Sequence, residues 1–178
     1  RTNQLIILNE KRKKIEENIF QNINFSKIAK QNKDVIIYYD PSINEGLIGI
    51  IAARLKDYFD KPSIVITNSN NILKGSARSI SNFNIGSIIS KAKNLNIIIS
   101  GGGHNMAAGF TLNKKMLNTF NTFIEKSYQK LKIHNDNTHF YTSKISSIAF
   151  NKNFYNDLSK LEPFGNGNQE PIFLLENL

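Results

Sequence analysis

The sequence predicts an α/β domain built on a mixed sheet, with a helix before it and the beginning of a smaller β domain after it. Short apolar runs bounded by turn-forming residues predict buried strands, and these runs alternate with segments of helical periodicity. No cysteine occurs among the 178 residues, which excludes disulfide scaffolds, zinc ribbons and thiol nucleophiles.

Each element of the main domain follows from a local pattern. Leu5, Leu8, Ile15 and Ile19 recur near helical spacing and predict one amphipathic helix, and VIIYY after Asp34 predicts a buried strand. The predicted elements, in chain order, are a helix (4–21), a strand (35–39), a helix (46–59), two strands of a hairpin (63–67 and 72–79), a helix (84–93), a strand or loop (95–100), a strand (107–112) and a helix (114–132).

A polar segment, IHNDNTH at 133–139, predicts a domain boundary, with His134 and His139 at the surface. Beyond it we expect a strand at about 140–149, a short helix at 154–161 and a terminal strand in IFLLENL. A lone terminal strand has no partner to pair with, and the first helix begins abruptly, so both ends are expected to be truncated.

The glycine-rich motif GGGHNMAAG contains the first candidate binding group. Gly101, Gly102 and Gly103 break the preceding pattern and predict a loop whose exposed backbone N–H groups bind an anion, with His104 and Asn105 beside them. The alternative is a glycine-rich turn whose histidine caps the backbone. Its spacing does not fit the dinucleotide-binding fingerprint.

The hairpin strand KGSARS contains the second candidate group. Because side chains alternate along a strand, Lys74, Ser76 and Arg78 share one face and present an ammonium, a hydroxyl and a guanidinium in a row. Only four of the 23 basic residues are arginine, and a guanidinium binds phosphate bidentately in a way that lysine cannot. The alternative is an ordinary solvated strand face.

The remaining patterns carry little chemistry. The turn-rich segment LEPFGNGNQEP, taken alone, favours a structural linker. No phosphate-binding loop of the nucleoside triphosphatases, no nucleophile elbow and no catalytic carboxylate pair occurs. The net charge of +9 suits a polyanionic partner, although AT-rich codons also favour lysine. The lack of a long apolar run or signal peptide predicts a cytoplasmic protein without a membrane contact.

Together these motifs resemble the RecJ family of the DHH phosphoesterase superfamily. NEGLIGIIAARL, KGSARS and GGGHNMAAG are similar to its DHH-associated substrate-binding domain, and LEPFGNGNQEP is similar to the entry of its oligonucleotide-binding (OB) domain. The resemblance implies a linker helix at 1–33, the substrate-binding domain at 34–133 and the start of an OB-type domain at 134–178.

The resemblance implies part of a single-stranded-DNA-specific 5′→3′ exonuclease of DNA repair and recombination. Its substrate-binding residues would be Lys74, Ser76, Arg78, Gly101, Gly102, Gly103, His104 and Asn105. Hydrolysis would use Mn²⁺ or Mg²⁺ ions held by a catalytic domain before residue 1, so this fragment would hold no metal or catalytic residue and would be inactive alone. Single-stranded DNA would be the main partner, with a single-strand-binding protein and a recombination helicase as further partners.

One departure from the family pattern concerns the segment before the second helix. Where the family has Trp-His, this chain has Ile43-Asn44. The resemblance therefore implies no catalytic role for Asn44. Two alternatives remain open: a nanoRNase or small-nucleotide phosphodiesterase of the same superfamily, and a non-catalytic nucleic-acid-binding module.

Overall fold

Two groups of elements follow one another along the chain in the computed structural model, which describes residues 2–131, 141–165 and 168–176. Contacts between Cα atoms divide the chain into a unit over Arg1–Ile133 and a unit over His134–Leu178. The predicted polar boundary at 133–139, with His134 and His139, lies outside the described residues.

The first unit contains a sheet with helices on both faces, and the predicted mixed α/β class is confirmed. Its elements are α1 (Thr2–Asn22), α2 (Phe25–Lys30), β1 (Ile36–Tyr39), α3 (Ile48–Phe59), β2 (Ser63–Ser69), β3 (Ile72–Arg78), α4 (Ile85–Asn94), β4 (Ser100–His104), β5 (Ala107–Leu112), a 3₁₀ turn (Lys114–Met116) and α5 (Leu117–Lys130).

The five strands lie in the order β1-β2-β3-β5-β4. β1 runs parallel to β2, as expected for strands joined through a helix, and the other neighbours are antiparallel. On one face, α3 packs against β2 and β3, and Ile51 and Leu55 are fully buried there. On the opposite face, α4 and α5 cover a larger core that includes Phe83 and Phe120.

Helix α1 is present as predicted, but its apolar face is only partly used. Leu5 and Leu8 are 67% and 61% exposed, whereas Ile19 near the other end packs against the core. The helix is joined to α3 by an ion pair, in which Glu16 Oε1 lies 2.8 Å from Arg54 Nε. Since α1 docks through its second half and this pair, helical periodicity alone did not identify its buried face.

Helix α2 was not predicted from the sequence because its six residues span less than two turns. Its N-cap is Asn24, whose side chain accepts a hydrogen bond from the Lys27 backbone N–H at 2.9 Å. Asn24 is a local signal for the start of this helix, since Asn is a favoured N-cap residue.

The second unit contains β6 (Ser143–Ser146), α6 (Lys152–Ser159) and β7 (Phe173–Glu176). The expectation that the terminal strand has no partner was wrong, because β7 pairs with β6 in parallel register, Ser143 opposite Phe173. The described residues of the LEPFGNGNQEP segment form a turn in which Asn168 Nδ2 donates to the carbonyl oxygens of Leu161 and Pro163.

No helix within the described ranges is long and apolar enough to cross a lipid bilayer.

Candidate nucleic-acid interface

The predicted row on β3 exists. Leu73 and Ala77 are buried towards α4 and α5, and the residues between and beside them, Lys74, Ser76 and Arg78, are half-buried on the other face. That alternation follows from the two-residue period of a strand. The three polar side chains therefore lie on the same face of the sheet as α3.

Strand register extends this row across the sheet. Directly opposite residues of antiparallel strands share a face, so each residue of the β3 row has a partner on β5 and, beyond it, on β4. The three cross-strand rows are Arg78–Ala107–His104, Ser76–Gly109–Gly102 and Lys74–Thr111–Ser100.

The face formed by these rows is open where it crosses β5 and β4. Helix α3 packs on β2 and β3, and the residues of β4 in the rows are exposed, as is Gly109 on β5. The Ser100 and Thr111 hydroxyl oxygens lie 2.6 Å apart, which agrees with a common face. We call the surface formed by the three rows the open face.

The predicted anion-binding loop is not a loop, and this expectation needs correction. Gly101, Gly102 and Gly103 lie within β4 and pair with β5. Their backbone groups on that side are engaged in the ladder, so they do not converge on an anion. The glycine run had suggested a break because glycine is usually depleted from strands.

The glycines of the first unit divide into two kinds by what a Cβ atom would meet. At Gly103 it would overlap the Ala107 carbonyl oxygen, and at Gly86 it would come within 2.7 Å of the His104 carbonyl oxygen, so these two allow close packing of the chain on itself. At Gly102 a Cβ atom would meet nothing within 4 Å, and at Gly109 only the Gly75 carbonyl oxygen at 3.9 Å. Gly102 and Gly109 oppose each other and form a flat floor on the open face.

Arg78 stands beside this floor with its charge uncompensated. Its Nη1 donates to Ser76 Oγ at 3.1 Å and to the Ala77 carbonyl oxygen at 2.9 Å. None of the carboxylates in the described part of the chain forms an ion pair with it. The half-exposed guanidinium therefore keeps donors for an external anion.

Gly49, in the first turn of α3, lies next to the same guanidinium. A Cβ atom there would come within 3.0 Å of Arg78 Nη2 and 3.2 Å of Ser76 Oγ. The missing side chain thus makes room for the position that Arg78 takes. Sequence reasoning missed Gly49 and Gly109 as site residues, although both are glycines inside predicted elements, where glycine is otherwise costly.

Lys74 differs from Arg78 because it has a partner. Its Nζ lies 2.8 Å from Glu45 Oε2, and Ser69 Oγ donates to the same carboxylate oxygen at 2.6 Å. The hydrogen bonds from Lys74 and Ser69 lower the pKa of the Glu45 carboxyl. Lys74 thus ties the loop before α3 to the sheet, and its charge is largely compensated.

His104 and Asn105 lie at the end of β4 with different surroundings. His104 is exposed at the end of the Arg78 row. Asn105 accepts a hydrogen bond from Asn84 Nδ2 at 2.7 Å through its side chain and one from the Ile85 N–H at 3.2 Å through its carbonyl oxygen. Asn105 therefore joins the β4–β5 turn to the start of α4.

The loop between β1 and α3 is held by its own polar side chains. Asn44 Oδ1 accepts from the Gly46 N–H at 2.8 Å, so the residue at the departure from the family pattern shapes the turn before α3. Burial opposes ionisation of Asp40, but hydrogen bonds from Ser42 and Tyr38 outweigh it and lower the pKa of the Asp40 carboxyl. Burial, followed by the charge of Asp40, raises the pKa of Tyr38.

The first unit and the described part of the second were also compared with the needs of a metal site, which takes at least three ligating side chains close together. Among the residues that the structure describes, no three His, Asp or Glu side chains lie together in a group that could hold a metal ion. The open face offers the Arg78 guanidinium with the Ser76 hydroxyl beside it, which suits an anionic ligand because the guanidinium is positively charged.

Comparison with known proteins agrees with this arrangement of elements. The DHHA1 domain model matches residues 32–130, more than half of the chain, and the RecJ OB domain model matches residues 141–178. The chain belongs to the DHHA1 domain family. Because the second match is specific to RecJ proteins, the resemblance to the RecJ family is confirmed as well.

Curated relatives are similar over most of this chain. The single-stranded-DNA-specific exonuclease RecJ of Haemophilus influenzae is 28% identical over 176 residues, covering 93% of this chain and 31% of the relative. That of Bacillus subtilis is 34% identical over 145 residues, covering 75% of this chain and 17% of the relative. The chain thus spans about a third or less of the length of these relatives.

A solved structure shares the fold. The crystal structure of RecJ in complex with Mn²⁺ from Thermus thermophilus matches 97% of this chain and 25% of its own, with a TM-score of 0.79 and 24% sequence identity.

Proposed function

We propose that the open face binds single-stranded DNA, and that this chain is the DNA-binding part of a 5′→3′ exonuclease that hydrolyses phosphodiester bonds in DNA repair and recombination. The observation that carries the proposal is the placement of an uncompensated Arg78 beside a floor of two glycines whose missing side chains open to the exterior. The relatives from Haemophilus influenzae and Bacillus subtilis are single-stranded-DNA-specific exonucleases, which supports the same substrate for this chain.

The chemistry of the open face favours a phosphodiester strand. The Arg78 fork matches two phosphate oxygens, and the Ser76 hydroxyl beside it adds a further hydrogen-bonding group. Gly102 and Gly109 let a chain lie against the sheet at van der Waals distance, because no side chain stands between ligand and backbone. We expect His104, at the end of the Arg78 row, to donate to a neighbouring phosphate.

We assign the hydrolytic step to a part of the intact protein that lies outside this chain. We infer that Mn²⁺ or Mg²⁺ ions are held by another domain of the intact protein, in keeping with the Mn²⁺ and Mg²⁺ complexes of the Thermus thermophilus relative. The residues described here would hold and orient the strand. The domain assignments 1–33, 34–133 and 134–178, the cytoplasmic location, and the partnership with a single-strand-binding protein and a recombination helicase remain predictions of the family resemblance.

DNA binding can be tested with the 178-residue chain and 5′-phosphorylated oligo(dT). Affinity is measured by fluorescence anisotropy at a series of salt concentrations. Replacing Arg78 with Ala should lower the affinity by about tenfold, because a charge-assisted bidentate contact is lost. The slope of log affinity against log salt should fall by about one.

The matched control is Lys93→Ala, which removes one exposed charge on the opposite face of the sheet that has no ion pair within the described ranges. It should leave both the affinity and the salt slope nearly unchanged. Equal losses in Arg78→Ala and Lys93→Ala would mean that the strand is attracted by net charge alone, and the proposed site would be abandoned.

A further inference from the structure

The helical layer on the other face of the sheet has a charge distribution that DNA binding on the open face does not use. Residues 85–131 contain six lysines and one carboxylate. The lysines are all exposed, and none forms an ion pair with a described residue. They are Lys91, Lys93, Lys114, Lys115, Lys126 and Lys130.

The single carboxylate of this layer does not offset the lysines at its surface. Glu125 Oε1 accepts a hydrogen bond from the Asp34 N–H at 3.0 Å, and Oε2 is buried without a partner among the described residues. Because the carboxylate is directed inward, the outer surface of α4 and α5 presents positive charge only.

An apolar groove runs between these two helices. It encloses about 380 Å³, and its lining consists of four apolar side chains, two uncharged polar ones and two lysines: Ile88, Leu95, Phe123, Leu131, Asn94, Ser127, Lys91 and Lys130. Ile88 is buried beneath it, whereas Leu95 and Leu131 are 61% and 52% exposed at its sides. Burying these two exposed leucines against a further apolar group would be favourable, so the groove is suited to an apolar ligand.

The groove continues along α5. Phe123, which lines it, also lines a neighbouring depression of about 510 Å³ with Lys126 and three polar residues of the same helix. The concave surface is thus elongated, with Phe123 shared by its two parts and a lysine near each part. This shape suits an extended or helical segment better than a compact small molecule.

We propose that the groove between α4 and α5 docks a short peptide of a partner protein, one that presents bulky apolar side chains flanked by Asp or Glu. The apolar side chains would fill the space beside Leu95 and Leu131, and the carboxylates would pair with Lys91 and Lys130. This proposal does not depend on DNA binding at the open face.

The lining of the groove favours a peptide over nucleic acid. Single strands bind through exposed aromatic planes on which bases stack, whereas the exposed apolar side chains here are Leu95 and Leu131, and the aromatic lining residue, Phe123, is half-buried. The layer also contains no arginine, the residue best suited to phosphate. Lysines around an aliphatic surface match carboxylates next to leucine-like or aromatic side chains.

The test begins with selection of random displayed peptides on the immobilised 178-residue chain. Selected sequences should combine bulky apolar residues with Asp or Glu. A labelled selected peptide is then measured by anisotropy against variants. Both Lys91→Glu and Leu95→Ser should weaken binding about tenfold, because a charge pair becomes repulsive or an apolar contact is lost.

Lys93→Glu is the matched control, since Lys93 lies on the same helix, is exposed and does not line the groove. It should change the affinity by less than about twofold. Thermal melting of each variant checks that the fold is kept. The proposal is overturned if selection yields no acidic, apolar sequences, if Lys91→Glu and Lys93→Glu act equally, or if oligo(dT) displaces the peptide and Leu95→Ser has no effect.

Discussion

The two faces of the sheet carry positive charge in opposite ways. The helical layer of α4, α5 and the 3₁₀ turn before α5 has six lysines without an ion pair among the described residues. The open face has one uncompensated arginine, because Lys74 there is paired with Glu45. Yet the open face has the features on which the proposed binding of a phosphodiester strand rests: a guanidinium fork, a hydroxyl and backbone free of side chains. The proposed DNA site thus rests on one unpaired charge beside a surface free of side chains, and not on the number of charges.

The largest effect should separate the two kinds of glycine. Gly103→Ala should destabilise the chain by roughly 3 kcal/mol, because its methyl group would overlap the backbone of β5. Gly102→Ala should change the free energy of unfolding by no more than about 0.5 kcal/mol, since its Cβ atom enters open space. Urea unfolding measures both.

Gly102→Ala should nevertheless weaken binding of oligo(dT) several-fold, because the methyl group holds the strand away from the floor. If Gly102→Ala bound DNA as tightly as the unchanged chain, the glycine floor would have no part in binding.

An intermediate effect should distinguish charge from geometry at Arg78. Arg78→Lys keeps the charge but loses the planar fork, so affinity for 5′-phosphorylated oligo(dT) should fall by roughly fivefold while the salt slope stays nearly constant. Arg54→Lys is the control, because Arg54 is engaged with Glu16 between α1 and α3. A lysine at position 78 that binds as well as arginine would contradict bidentate recognition.

The smallest effect concerns the ion pair between Lys74 and Glu45, which compensates the charge of Lys74 on the open face. The lowered pKa of Glu45 means that this carboxylate stabilises the fold at pH values above its ordinary pKa of about 4.5, and that the contribution is lost as the pH falls through the lowered value. The Glu45→Gln variant should lack this part of the loss of folding stability at acidic pH.

The measurement is a titration of the Glu45 carboxyl by NMR, together with thermal melting of both proteins between neutral and acidic pH. The Lys74→Met variant should return the pKa of Glu45 towards its ordinary value. An unchanged pKa in that variant would mean that the ion pair is not maintained in solution.

Local periodicity was sufficient to predict the β3 row. The alternation of Lys74, Ser76 and Arg78 depends only on the two-residue period of a strand, and the structure has it. The pairing of Lys74 with Glu45 could not be predicted in the same way, since it depends on how the loop before α3 meets the sheet 29 residues later.

The glycine run shows where a sequence signal has two meanings. Successive glycines indicate either backbone that binds a ligand or backbone that packs closely against its own chain, and residues 101–103 contain both. Gly103 packs against β5, and Gly102 faces the exterior. Only strand register separates them, and register depends on the pairing partner, Gly109, seven residues further along the chain.

The most direct test of the central claim compares the two faces in one experiment. The ¹⁵N-labelled chain is titrated with 5′-phosphorylated oligo(dT), and changes in amide and arginine side-chain NMR signals are mapped onto the structure. We expect the largest changes at Arg78, Gly102 and Gly109 on the open face. Changes concentrated at Lys91, Lys126 and Lys130 on the helical layer, with the open face unaffected, would contradict the account.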